Sequence, residues 1–588
     1  MKNFLLFIID SLNYSHVKEH PELMPFLDKI SKSSIVCTNM FSQAPYTEAA
    51  VMNIYCGQNV LDNGGYLKRF KHAPHTVFEI MKEHGFTTYY NSFQPQCYPS
   101  SLRRGIDYIY YNVGYDLSAL WSYRLYHYAD LYVKKLLNDD DWANLIDIFD
   151  DNFSEWLLFI NDIIDSAEAC SMIIENAPQY DALNTKNELM KEYEKYQAEK
   201  KEYILSVLTE STNHNLFKLP AFIQTRKIKD RDRIPQIQAL FKPLIKDIQH
   251  QNLKLNLKNG KGFANGPIRK FKTFVRKPSK DTYKNLLKSI YLSLNLLFDF
   301  DLKQRLSNDF DSFKNAPSAK THIDHYMNWI QNHSQEKTFA CIHVDDIHNP
   351  EEFFTYDSSD MELLQSEVEM AKQTIGNLPR GYSGSISHDL SLRYIDSIIE
   401  YLFNQLDTSG ILEDTCVMIT ADHGFSFSGN PLRDSFVINL YLENYNVPFV
   451  IYNSGLPDKQ IAGIQMTKDI PATIYALAGI TDKIKGLTGQ SVVGGSGHEF
   501  AMIEYCGGGC PDLSRRELKI AAFDKEYFVG TLCSLNDYFG WDKVTEVYDL
   551  NKDPKQEHNL SDQRLPDKYN YLYEAIGRRL ADLKKQQS

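Results

Sequence analysis

The stretch DTCVMITADHG, Asp414–Gly424, decides how the rest of the chain is read. Its apolar run followed by Asp-His-Gly predicts a buried strand that presents a carboxylate and an imidazole at its end. FLLFIID, Phe4–Asp10, has the same form: an apolar run stopped by a carboxylate. KTFACIHVDD, Lys337–Asp346, repeats it again. Between them lie segments with apolar positions at helical spacing. MPFLDKISKSS (24–34), HTVFEIMKEHGF (75–86, stopped by Gly85) and SLRYIDSIIEYLFNQL (391–406) are of this kind, and TTYYNSF (87–93) reads as a further strand. Strands alternating with helices predict an α/β fold, a mixed and mostly parallel sheet with helices on its faces.

The rhythm is interrupted once. Residues 113–320 are helix-rich and strand-poor, as in WANLIDIFDDNFSEWLLFINDII (142–164) and NELMKEYEKYQAEKKEYILSVL (187–208). This is read as a helical insertion between two parts of one catalytic domain, 1–112 and 321–499. A smaller α+β subdomain is expected over 500–588. Within the insertion, residues 218–288 are rich in lysine and arginine, as in NGKGFANGPIRKFKTFVRKPSK (259–280). That segment is either a solvated surface or a docking surface for an anionic substrate, with Arg269, Lys270 and Lys272 as its candidate contacts.

The bulk properties exclude some classes. A net charge of −13 argues against nucleic acid as the main partner. No stretch reaches the roughly 18 apolar residues of a membrane span. The nine cysteines, odd in number and irregularly spaced, fit a reducing compartment. A cytoplasmic protein is therefore expected, with peripheral association at the inner membrane surface allowed.

If the strands lie parallel, ligands bind beyond their carboxyl ends. That brings Asp10, Asp422 and His423 forward as ligands of one divalent ion: Mn²⁺, Zn²⁺, Mg²⁺ or Ca²⁺. SQAPYTEAA (42–50) supplies a fourth candidate, Thr47, just before a helix-forming run. A hydroxyl there is either a helix cap or a nucleophile activated by the ion.

Taken in order, these segments resemble the sulfatase branch of the alkaline phosphatase superfamily. FLLFIIDSLN resembles its opening strand with the metal-binding Asp. MPFLDKISKSSIVCTNMFSQAPYTEAA resembles the helix, strand and nucleophile turn, and RRGIDYIYYN (103–112) a following landmark. FACIHVDDIHNP resembles an H-x-x-D-x-H loop, and RYIDSIIEYLFNQLDTSGILEDTCVMITADHGFSFSG is the most specific match. The resemblance implies that Asp10, Asp422 and His423 hold metal, that Thr47 stands at the nucleophile position, and that His343 and His348 contact the ester. His348 is then the candidate proton donor to the leaving group.

The departures narrow the expectation. Sulfatases carry Cys or Ser within C-x-P-x-R; here the stretch is Thr47-Glu48-Ala49-Ala50-Val51. Ser11 replaces a second Asp, and Asn91-Ser92-Phe93-Gln94 carries neither cation of a Gly-Lys-x-His stretch. A threonine in an Asp/Thr/Asp/His set resembles the phosphoglycerol and phosphoethanolamine transferases of the same superfamily. The expected activity is a metal-dependent phosphotransferase or phosphodiester hydrolase with a phosphothreonine intermediate. Its expected substrate is a phosphodiester-containing small molecule, lipid or glycan, such as a bacterial surface glycan or its precursor. The alternatives are a sulfatase without formylglycine, a two-metal phosphodiesterase recruiting His498, and a binding protein that keeps the fold. Cys506 and Cys510 are read as flanking a Gly-rich loop.

Overall fold

The computed structural model describes residues 2–63, 72–92, 102–111, 131–166, 181–210, 213–219, 319–348, 386–425, 440–506, 517–534, 540–561 and 567–587, with a few isolated positions between them. Three strands form the centre: β1 (Asn3–Ile9), β6 (Thr338–Val344) and β7 (Thr415–Ala421). Every residue of all three is buried, which is why they read as continuous apolar runs. β1 pairs in parallel with β6 on one side and with β7 on the other.

These three belong to an eight-stranded sheet, ordered β10-β2-β9-β7-β1-β6-β4-β5. The other members are β2 (Ser34–Cys37), β4 (Thr87–Ser92), β5 (Tyr108–Tyr111), β9 (Phe449–Tyr452) and β10 (Lys459–Ile461). β4 and β5 continue the parallel side, whereas β9 runs antiparallel to both β7 and β2. The sheet is thus mixed and mostly parallel, as expected. β3 (Met40–Phe41), β8 (Asn446–Val447) and β11 (Gln465–Met466) form a small separate sheet.

Helices cover this framework. α1 (Tyr14–Glu19) and α2 (Pro25–Ser31) follow β1, α3 (Thr47–Cys56) follows β3, and α4 (Val77–Glu83) leads into β4. The expected stop at Gly85 is present, with φ 81°. Within residues 113–320, read above as an insertion, α5 (Asp139–Asp165), α6 (Ala182–Ala198) and α7 (Lys200–Glu210) pack around Phe149, Phe153, Tyr196 and Tyr203. Those aromatic residues form a buried core. Residues 187–208 divide into α6 and α7 at Glu199. α8 (Ala319–Asn332) and α9 (Ile386–Thr408) flank β6 and α2, and α10 (Asp469–Leu477) packs on α3. Asp396 of α9 accepts the Phe26 and Leu27 amides, each at 2.9 Å, and so caps α2 from a distance in sequence.

The C-terminal part is a four-stranded antiparallel sheet with a helix against it. Its elements are β12 (Ala501–Cys506), β13 (Glu517–Phe523), β14 (Tyr527–Ser534), β15 (Gly540–Asp549) and α11 (Asn570–Gln587). Ala44, Ala49 and Ala50 join one buried cluster with Ile520, Val529, Leu572 and Ile576. The small side chains of the Glu-Ala-Ala run let α3 seat against this unit. Arg579 completes the seam, pairing with Asp62 at 2.6 Å and with Glu504.

α3 is buried on nearly every side, so its ends must be held by the backbone around them. Gly57 closes it with φ 65°, donates to the Asn53 carbonyl at 2.9 Å, and accepts the Thr488 and Gly489 amides. A Cβ there would lie 2.4 Å from Leu487 Cδ1. Gly57→Ala is expected to lower stability by about 1 kcal/mol or more, from the left-handed backbone and the contact together. Chemical denaturation reads it as a lower midpoint; an unchanged midpoint would contradict this account of how α3 ends.

Candidate active site

The parallel register brings the site together. Ile9 of β1 lies beside Val344 of β6 and Ala421 of β7. The next residues are Asp10, Asp345 and Asp422, at the carboxyl end of the sheet. The Asp10 amide continues the ladder, donating to Val344 O at 2.9 Å. Ser11 then turns the chain with φ 64°, in the left-handed region. Its amide donates to Asp422 Oδ1 at 3.1 Å and its hydroxyl to Asp10 Oδ1 at 2.7 Å. Ser11, which stands where a second Asp was looked for, thus ties the two carboxylates together.

Thr47 answers the question its position posed. It is the first residue of α3, and the cap position belongs to Tyr46, which makes no side-chain cap. The Thr47 hydroxyl donates to Asp10 Oδ2 at 2.9 Å. It is therefore not a helix cap. It is a buried hydroxyl held at a helix N-terminus against a carboxylate, a place that favours anions.

His423 is oriented by its own turn. Its Nδ1 lies 2.8 Å from the Gly424 carbonyl. A carbonyl only accepts, so Nδ1 carries the proton and, in the neutral ring, Nε2 presents its lone pair. Nε2 lies 3.6 Å from Asp10 Oδ1 and 3.6 Å from Asp422 Oδ2. The glycine after it is needed for space: a Cβ at Gly424 would approach Glu443 O to 2.6 Å. That close approach is the physical content of the Asp-His-Gly ending.

His343 joins the same group. It belongs to β6 itself and not to the loop after it, and its Nε2 lies 3.8 Å from Asp422 Oδ2. Donor atoms of Asp10, His343 and Asp422 all lie within 4.8 Å of one another. His348, in the turn after β6, is half-buried, and its amide donates to Asp345 O at 2.9 Å.

The electrostatics are those of buried carboxylates facing imidazoles. Burial raises the Asp10 pKa, but attraction to His348, then His423 and His343, and the Ser11 hydroxyl outweigh it and hold the carboxyl below its ordinary value. Burial, followed by repulsion from Asp10, raises Asp422. Burial also lowers His343, so its ring is neutral at pH 7.

This donor set fits a divalent ion. Asp422 Oδ2 and His423 Nε2 are buried and make no hydrogen bond among the described residues. Their 3.6 Å separation is too long for a hydrogen bond. It is close to the edge, about 3.4 Å, of a tetrahedron with ligand bonds of about 2.1 Å. Two buried carboxylates with imidazoles suit a hard or borderline ion, which offsets the charge they bury.

Other expected contacts are placed differently. Arg269, Lys270 and Lys272 lie outside the described residues, as does Cys510, while Cys506 ends β12. His498 Nε2 lies 2.9 Å from Asp469 Oδ2, and Asp469 also accepts the Met466 and Gln490 amides. His498 therefore clasps the start of α10. Asn91 is buried in β4, with its amide on Tyr89 and His322, and Phe93 and Gln94 lie outside the described residues. What sequence reasoning missed is His343 as a member of the carboxylate group. It stands one residue before the strand ends at Val344, and in a strand buried on both faces no local pattern marks it.

The sulfatase family model matches residues 2–221 and 241–480. An arylsulfatase from Chlamydomonas reinhardtii is 25% identical over 205 residues, 29% of this chain and 30% of its own length. The match therefore spans less than a third of that relative. Two solved structures are similar over 100% of this chain, each at 11% identity. One is a protein in the alkaline phosphatase superfamily from Vibrio parahaemolyticus, with 86% of it covered and a TM-score of 0.48. The other is a phosphonate monoester hydrolase from Silicibacter pomeroyi, with 96% covered and a TM-score of 0.49.

Asp346 anchors the turn that carries His348. It accepts the Ala319 amide at 2.9 Å and the Tyr394 hydroxyl at 3.0 Å. Burial, then Asp345, pushes its carboxyl up to about 7. A raised carboxyl pKa means the folded chain keeps a proton that the unfolded chain loses near pH 4, so this residue's contribution falls as pH rises toward 7. The stability of Asp346→Asn relative to wild type is expected to increase steadily between pH 4 and 7. Denaturation midpoints across that range check it, and a constant difference would contradict it.

Proposed function

The chain belongs to the sulfatase family, whose members are hydrolytic enzymes of the alkaline phosphatase superfamily, and we propose that it transfers or hydrolyses a phosphoryl group through Thr47. The observation that carries this reading is the 2.9 Å hydrogen bond from the Thr47 hydroxyl to Asp10, at the N-terminus of α3 and beside Asp422 and His423. Threonine cannot be oxidised to the formylglycine on which the family's sulfate chemistry rests, and the Pro and Arg of that motif are absent. A hydroxyl nucleophile suits phosphoryl transfer instead.

Asp10, Thr47, Asp422 and His423 are the proposed ligands of one divalent ion, with His343 against the same group. When bound, the ion supplies positive charge beside the reacting phosphoryl group and favours ionisation of a neighbouring hydroxyl. The chain's own residues do the rest. Asp10 holds Thr47 Oγ1 at the head of α3 and accepts its hydrogen bond. Ser11 and the Gly424 carbonyl hold Asp422 and His423 in place. Thr47 Oγ1 gives up its proton through Asp10 Oδ2 as it attacks the phosphorus in line, the bond to the leaving oxygen breaks, and His348 delivers a proton to that oxygen. The amides at the start of α3 face the negative charge of the phosphoryl group. Water or an alcohol then displaces the threonine and releases the product.

The proposed substrate class is a phosphodiester, as in a glycan or lipid precursor, with the basic segment around Arg269, Lys270 and Lys272 as its docking surface. Among the described residues, no helix is long and apolar enough to cross a membrane. A second reading, sulfate ester hydrolysis, is favoured by the sulfatase family model and the arylsulfatase match.

The test is a metal-supplemented assay of wild type and Thr47→Ala on nitrophenyl sulfate, nitrophenyl phosphate and bis(nitrophenyl) phosphate. Diester cleavage is expected to exceed sulfate cleavage and to fall on the order of 10³-fold or more in the variant. Preferred sulfate cleavage would select the second reading. Diester cleavage that survives in Thr47→Ala would remove the threonine from the mechanism.

A further inference from the structure

A second group of metal-ligating side chains lies away from the Asp10 site. His16 belongs to α1, whereas His388 and Asp389 lie in the first turn of α9. Their donor atoms lie within 4.8 Å of one another. His16 Nε2 is 2.9 Å from Asp389 Oδ1, and the His16 and His388 rings are 5.2 Å apart at 49°.

Burial makes this grouping more than a surface ion pair. Asp389 is fully buried, His388 nearly so, and only the His16 side chain reaches solvent, at 17% exposure. Asp389 Oδ2 is buried and accepts no hydrogen bond among the described residues. A buried carboxylate with one oxygen unsatisfied is costly. His16 compensates one oxygen; the other calls for a donor or a cation. An ordinary His–Asp pair accounts for His16 and Asp389 but leaves that second oxygen unexplained, with another imidazole packed beside it.

We propose that His16, His388 and Asp389 form a second metal site, for a zinc-class divalent ion. Two imidazoles and a carboxylate suit zinc; magnesium and calcium prefer all-oxygen shells. Three protein ligands also match zinc sites that leave one position open. Of the three residues, only His16 reaches solvent, the route by which an ion and a water ligand would enter. The ion joins α1 to α9 across 372 residues of sequence. α1 begins soon after Asp10, and Asn13 at its start donates to Phe425 O at 2.8 Å, close after His423. The second ion therefore braces the chain that leaves the first site.

Equilibrium dialysis of the full chain against buffered zinc, with bound metal counted by emission spectroscopy, tests this. Wild type is expected to bind two equivalents. Asp389→Asn and His388→Gln should each lose one, with at least a tenfold weaker affinity there. Asp422→Asn should lose the other, so failure of the first site is distinguished from failure of this one. The proposal is overturned if Asp389→Asn and His388→Gln bind as much zinc as wild type. It is equally overturned, without reliance on those variants, if wild type binds a single equivalent that Asp422→Asn abolishes.

Discussion

Two carboxylates, Asp10 and Asp422, end adjacent parallel strands and are buried together. Like charges this close repel, and neither has water to spread its charge. The surroundings follow from that constraint. Ser11 donates to each carboxylate, Thr47 donates to Asp10, and His423 and His343 turn imidazoles toward them. Those contacts leave Asp422 Oδ2 and His423 Nε2 at a separation suited to a shared cation. The same environment that suits a cation also holds the Thr47 hydroxyl against Asp10, and the proposed chemistry starts from that contact.

The framework behind the site is built so that small shifts are resisted. Three fully buried strands fix Asp10 and Asp422 at one height and His343, level with Ile8, two residues below them. α3 is held from three directions: by Asp10 at its start, by Gly57 at its end, and by the C-terminal unit along Ala49 and Ala50. The C-terminal sheet therefore acts on the site through the helix that carries Thr47. Glu504 makes that link polar as well as apolar, accepting the Leu61 amide and pairing with Arg579 while its own amide donates to Gln43 O.

Much of this was legible in the sequence, for a physical reason. Central parallel strands are buried on both faces, so FLLFIID, TFACIHV and TCVMITA announce themselves as largely apolar runs, and the polar residues that end β1 and β7 stand out. Asp10, Asp422 and His423 could be named on that basis. Other features could not. His343 looks like any residue of a strand until the register with β1 is known. A hydroxyl before a helix is ambiguous between cap and nucleophile in the sequence; the position of Tyr46 as the cap and the bond to Asp10 set the cap aside, and the nucleophile is the proposal built on that contact. The His16, His388 and Asp389 group joins residues more than 370 positions apart, and no local pattern marks it.

The central claim is that Thr47 becomes covalently modified during turnover. Its most direct measurement is peptide mass spectrometry of the metal-loaded wild-type chain, acid-quenched during steady turnover of bis(nitrophenyl) phosphate. The account predicts a nitrophenylphosphoryl adduct on the peptide that contains Thr47, formed together with a burst of nitrophenol. An adduct on a different residue, or a resolved burst with Thr47 unmodified, would contradict it.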